Sequence, residues 1–88
     1  MHLTKEDESA FKAIEHLKQE IKELEEKIVR CEQKIKELRA KEDLEQKIFF
    51  AQEIFQLQQE KLVLTTEVLF RQNKIKRLQF ATDQEAKE

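Results

Sequence analysis

From Ile14 onward, apolar residues recur at alternating steps of three and four: Ile14, Leu17, Ile21, Leu24, Ile28, Cys31, Ile35 and Leu38. At 3.6 residues per turn this spacing gathers them into one stripe, with isoleucine at every a position of a heptad and leucine, once cysteine, at every d. Four heptads in unbroken register predict a coiled-coil segment over residues 5–38. A surface helix of a globular domain carries a similar stripe, but this chain holds no globular domain for it to lie on. Residues 1–4 read as an N-terminal cap. Thr4, with Asp7 three residues on, forms a variant capping box, and Glu6, Asp7 and Glu8 fall in the first turn, where the helix dipole favours negative charge.

Over residues 39–47 the chain reads RAKEDLEQK and the stripe lapses. Continuing the frame puts Glu42 at a and Glu45 at d, so a polar register break or a turn is expected there. Residues 48–80 are more apolar, and in two stripes. One is Phe50, Ile54, Leu57, Leu64, Val68, Ile75 and Leu78; the other is Ile48, Ala51, Phe55, Leu62 and Leu69. The two lie roughly 120–140° apart around a helix. A narrow stripe satisfies one neighbour, whereas this breadth requires two or more, so residues 48–80 are expected in a bundle of three or four helices. Residues 81–88 form a polar tail.

Two chain paths fit the pattern. In one, a single helix runs from about Lys5 to about Phe80, on the order of 110 Å, with a register slip at 39–47. In the other, the chain folds back near Lys41 as an αα-hairpin. Leu38 then meets Leu44, Ile35 meets Ile48, Cys31 meets Ala51, Ile28 meets Phe55, Ile21 meets Leu62 and Ile14 meets Leu69. Asp43 would cap the second helix, with Gln46 at its third position. Ala40, Lys41 and Glu42 are good helix formers and none suits a positive φ, so the continuous helix is the expected path. The fold class expected is all-α: a long coiled-coil helix joining other helices in a dimeric coiled coil or a three- or four-helix bundle.

Composition narrows the function classes. Charged residues make up 41% of the 88, and glycine and proline are absent. That argues against strand hairpins, loop-built sites and glycine-dependent phosphate cradles. A formal net charge of −2 implies no bulk attraction to nucleic acid or membrane. A single cysteine makes no internal disulfide, which fits a reducing compartment. The start, MHLTKEDESAF, is too acidic for a signal peptide, and no run of about 18 apolar residues occurs. The location expected is cytoplasmic, with cytoskeletal association as one setting.

Flanking charges bear on the partner. The g positions are Glu20, Lys27, Lys34 and Lys41; the e positions are Lys18, Glu25, Glu32 and Arg39. A parallel in-register homodimer would set Glu20 against Glu25 and Lys34 against Arg39, with only Lys27 and Glu32 attracting. Each such contact is worth a few tenths of a kcal/mol, against roughly 1.5–3 kcal/mol for each buried Ile or Leu. The repulsions therefore select among partners without forbidding assembly. They favour a second copy running antiparallel or a different coiled-coil chain; nucleic acid and membrane are not expected.

Candidate chemistry is sparse. Cys31 stands alone at a d position and reads as a buried structural thiol. His16 and Glu20, one turn apart, are too few to hold a metal and read as a solvated ion pair. Glu25 and Glu26 lie on an open helix face with no pocket to shift them. No nucleophile–base set is present, so no enzyme, cofactor or metal is expected. Phe11-Lys-Ala-Ile14, after three acids, resembles the short acidic–aromatic motif that binds ubiquitin-like autophagy modifiers. That mode needs an extended strand, while Ile14 here opens the helical stripe. Val68 to Phe80 carries Arg71, Lys74, Lys76 and Arg77 without an acid. Such a basic amphipathic helix suits an anionic membrane or a phosphate backbone, or is an ordinary solvated face near a helix C-terminus. The function expected is a coiled-coil oligomerisation or adaptor segment within a larger intracellular assembly, with membrane or nucleic-acid binding through 68–80 as the alternative.

Overall fold

The computed structural model describes the backbone of residues 5–86 and the side chains of residues 8–81. The Thr4–Asp7 capping box lies outside the described side chains. Two helices, α1 (Lys5–Lys41) and α2 (Ala51–Ala86), account for nearly all of the chain. Glu20 of α1 meets Arg71 of α2, and Glu32 meets Lys61, so the helices run antiparallel. The fold is an elongated all-α hairpin. The continuous helix that local propensity favours is therefore not the path taken.

The reversal begins within residues 39–47 and runs three residues past them. Ala40 and Lys41 remain helical, as their propensities dictate, and the chain turns over Glu42 to Phe50. Asp43 and Ile48 exchange backbone hydrogen bonds of 3.0 and 2.8 Å across a four-residue loop. Asp43 Oδ1 accepts from the backbone N–H of Glu45 at 2.9 Å and of Gln46 at 3.4 Å, holding the loop as an Asx turn rather than capping a helix. Lys47 completes the loop at φ 56°. This left-handed conformation costs a side-chain-bearing residue about 1–2 kcal/mol. The eleven side chains buried along the seam contribute roughly 1.5–3 kcal/mol each, so the strain at one lysine is easily offset.

Of the α1 stripe, Ile14, Leu17, Ile21, Leu24, Cys31, Ile35 and Leu38 are buried and Ile28 is partly so. From α2 they meet the first stripe: Ile54, Leu64, Val68 and Ile75 are buried, with Phe50, Leu57 and Leu78 packed beside them. The pairing expected for a hairpin is thus replaced. It drew on the second stripe, and Ile48, Phe55, Leu62 and Leu69 are instead exposed, as is Leu44. It would also have set Lys61 level with Lys22 and Arg71 level with Lys12. The observed register brings each cation to an acid.

Candidate interaction surface

Two gaps in the first stripe of α2 are filled by Lys61 and Arg71. With them, Phe50, Ile54, Leu57, Lys61, Leu64, Val68, Arg71, Ile75 and Leu78 follow alternating steps of four and three without interruption. Both cations sit on the seam, and each reaches across it. Arg71 Nε donates to Glu20 Oε2 at 2.8 Å, and its Nη1 donates to the Glu67 carbonyl at 3.1 Å. Lys61 Nζ lies 3.4 Å from Glu32 Oε1. The side chains of Arg71 and Lys61 keep 28% and 42% of their surface exposed, so the two pairs lie at the solvated edge of the seam and favour this register without dominating its energy.

The Glu20 carboxylate also lies 3.2 Å from His16 Nε2. Its hydrogen bond from Arg71 holds it below the usual carboxylate range, helped by the charges of Arg71, His16 and Lys74 and opposed by partial desolvation. A lowered folded-state value means that Glu20 stabilises the hairpin above the ordinary carboxylate pKa, and that this is lost as pH falls through the lowered value. Glu20→Gln should accordingly lower the Tm at neutral pH, with the deficit closing as pH drops below about 4. A deficit of the same size at pH 7 and pH 3 would show that charge is not what Glu20 supplies. Cys31, buried on the seam, has its thiol pushed up by desolvation first and by Glu60 second, which keeps it protonated and unreactive. Among the described residues no group of three or more His, Cys, Asp or Glu is placed to hold a metal ion.

Away from the seam the two helices differ in kind. Between Glu15 and Glu37 the outer side of α1 is mostly charged, with Glu15, Lys22, Glu23, Glu26, Arg30, Lys36 and Glu37 interspersed with His16, Gln19 and Gln33, and Val29 is its one exposed large apolar residue there. Lys18 and Glu15, 3.7 Å apart, form one of its solvated ion pairs. The outer side of α2 is not charged. About 130° to one side of its seam lie Ile48, Phe55, Leu62 and Leu69, and about 130° to the other lie Phe49, Val63 and Phe70. Between the two rows run Gln52, Gln59, Thr66 and Asn73, and every charge of α2 up to Arg71 falls on or beside the seam. Thr65 and Thr66 donate their hydroxyls to the Lys61 and Leu62 carbonyls at 2.8 and 3.0 Å, so both present a methyl group outward.

Sequence reasoning found one row of this surface, the second stripe, and missed Phe49, Val63 and Phe70. Val63 and Phe70 are seven residues apart and Phe49 fourteen before Val63, so a search for a third seven-residue column would have found them. The candidate basic patch does not form one face. Arg71 is held at the seam by Glu20, while Lys74, Lys76 and Arg77 are exposed and point to different sides of α2. Phe11, in the acidic–aromatic segment, is exposed on helix α1, and Ile14 is buried on the seam.

Fold and surface together define an antiparallel two-helix hairpin with a seam already filled and a second, outward apolar face. No protein-family model, curated protein or solved structure matches this chain. No helix among the described residues is long and apolar enough to cross a membrane.

Proposed function

We propose that this chain is a coiled-coil oligomerisation or adaptor segment, a structural protein–protein interaction element within a larger intracellular assembly. The observation that carries the reading is the uncharged apolar face along the outside of α2. Water-facing helix surfaces ordinarily resemble that of α1, with charges interspersed; contiguous apolar rows mark a surface that meets another one. The seam supports the same reading. Its best-covered side chains retain 7–9% exposure, and none among those described is fully buried. Two helices give only a thin core, so the hairpin gains stability from a partner surface.

The division of labour follows from the sequence of the two halves. The heptad seam of α1 zips the hairpin, and α2, apolar on both sides, joins that hairpin to its surroundings. The alternative, a membrane- or nucleic-acid-binding helix at 68–80, gains no support from the side chains. Its central cation Arg71 is occupied by Glu20, and Glu53, Glu60 and Glu67 line one flank of the apolar face, where an anionic surface would be repelled.

A photo-activatable cross-linking residue separates these cases. Placed at Leu62 in the chain expressed in cells, it should give discrete protein adducts; placed at Glu26, on the charged outer side of α1, it should give few. Absence of protein adducts at Leu62, or equal labelling at the two positions, would sink the adaptor reading.

A further inference from the structure

The geometry points to a second copy of this chain as the occupant of the outer face of α2. The two α2 helices run antiparallel about a two-fold axis near Leu62 and Val63, so that the hairpins form a four-helix assembly with the α1 helices outermost. This rests on the adaptor reading above and names its partner.

The first argument is self-complementarity. An isologous interface requires one patch to match its own image after a two-fold rotation. The row of Leu62 is symmetric about its own midpoint: Phe55 and Leu69 lie seven residues either side, so Phe55 meets Leu69 and Leu62 meets its own copy across the axis. In the row of Val63, Val63 meets its own copy, and Phe70 falls level with Gln56 and lies against the stem of that side chain. In the central row, Gln59 falls level with Thr66 of the second copy, and Gln52 with Asn73. Amides face amides or the Thr66 methyl group, and the Thr66 hydroxyl is already bonded within its own helix. Between Gln52 and Asn73 these rows carry no charge, and the Thr66 hydroxyl is not left unpaired there.

The second argument is charge. From Glu53 to Arg77 the acids of α2 come first, Glu53, Glu60 and Glu67, and the cations off the seam last, Lys74, Lys76 and Arg77; Asp83 and Glu85 follow them before the helix ends. Parallel pairing would stack cations on cations and turn on turn. Antiparallel pairing sets Glu53 beside Lys74 of the second copy and lays the stems of Lys76 and Arg77 over Ile48 and the Phe49 ring. The Glu60–Glu67 pair that also falls level sits at the solvated rim, where like charges cost only a few tenths of a kcal/mol.

The third argument is area. Phe49, Phe55, Leu62, Val63, Leu69 and Phe70 are each 54–67% exposed. With large side chains offering roughly 150–250 Å², they leave on the order of 700 Å² of apolar surface in contact with water. That exceeds the ~300–600 Å² of the largest patch on a typical monomer and approaches the ~800 Å² per partner of a standard stable interface.

Sedimentation equilibrium on the purified chain gives the first readout, with twice the 10.6 kDa chain mass expected. Leu62→Glu should keep its helix content, since Leu62 is off the seam, and weaken association by roughly a hundredfold or more because the two-fold axis places the charge on both sides. Orientation is read in a Cys31→Val background. A mixture of Phe55→Cys and Leu69→Cys chains should form the mixed disulfide on oxidation, and Phe55→Cys alone should not. A monomeric mass at high concentration would overturn self-pairing while leaving the Leu62 cross-linking result, and so the adaptor reading with another chain, untouched. A dimer unaffected by Leu62→Glu, or one that readily oxidises between two Phe55→Cys chains, would overturn the proposed face or its antiparallel sense.

Discussion

Spin labels at Gln19 and Gln72 should report an intrachain separation of about 15–25 Å, given helix axes 8–10 Å apart and the reach of the labels. Both positions are exposed, and the Arg71–Glu20 hydrogen bond places them level with one another on neighbouring helices. A continuous helix would hold the same two positions on the order of 80 Å apart. The pairing built on Ile21 with Leu62 would leave them offset along the axis by roughly two turns. The measurement therefore tests path and register at once. Labelled chain diluted with excess unlabelled chain keeps distances between copies out of the signal, and a dominant long distance under dilution would refute the hairpin.

Leu64→Ala should cost about 2–5 kcal/mol of hairpin stability, whereas Phe55→Ala should change it by no more than about 0.5 kcal/mol when the chain is dilute. Leu64 keeps 7% of its surface exposed and packs into the main seam cluster; Phe55 keeps 59% and points away from α1. The two residues belong to different faces, and concentration separates them. As the chain is made more concentrated, association through the outer face should raise the wild-type Tm by mass action. Phe55→Ala should blunt that rise, and Leu64→Ala should lower the curve at every concentration. Denaturant titrations in which the two substitutions behave alike would mean that the inner and outer faces of α2 have been misassigned.

The α1 stripe was legible in the sequence because its signal is local. Ile14 to Leu38 follow one period without a gap, and everything between them off the stripe is polar or charged apart from Val29, so only one face of that helix can be buried. The breadth of the apolar surface on α2 was legible for the same reason. What periodicity could not settle was which of its two stripes faces α1. Both are apolar, both are spaced for a helix, and Lys61 and Arg71 interrupt the stripe that proved to be inner. Read alone, those cations look like breaks in a seam. Beside Glu32 and Glu20 they complete it.

Local spacing alone makes the fold all-α, gives α1 one narrow seam, and gives α2 more apolar surface than one neighbour can cover. Those properties depend on side chains a turn or two apart, and local spacing specifies them. The tertiary structure alone decided that the chain reverses, where it does so, and which face of α2 is left outward. Asp43 is the one turn-forming side chain at the reversal, and nothing there suits the left-handed position; Lys47 adopts a positive φ because the burial of two long stripes outweighs a cost of about 1–2 kcal/mol at one residue. Which face is outward rests on residues far apart in sequence: with the first stripe turned inward, Arg71 reaches Glu20 and Lys61 reaches Glu32 across the seam, and both cations are paired at its solvated edge.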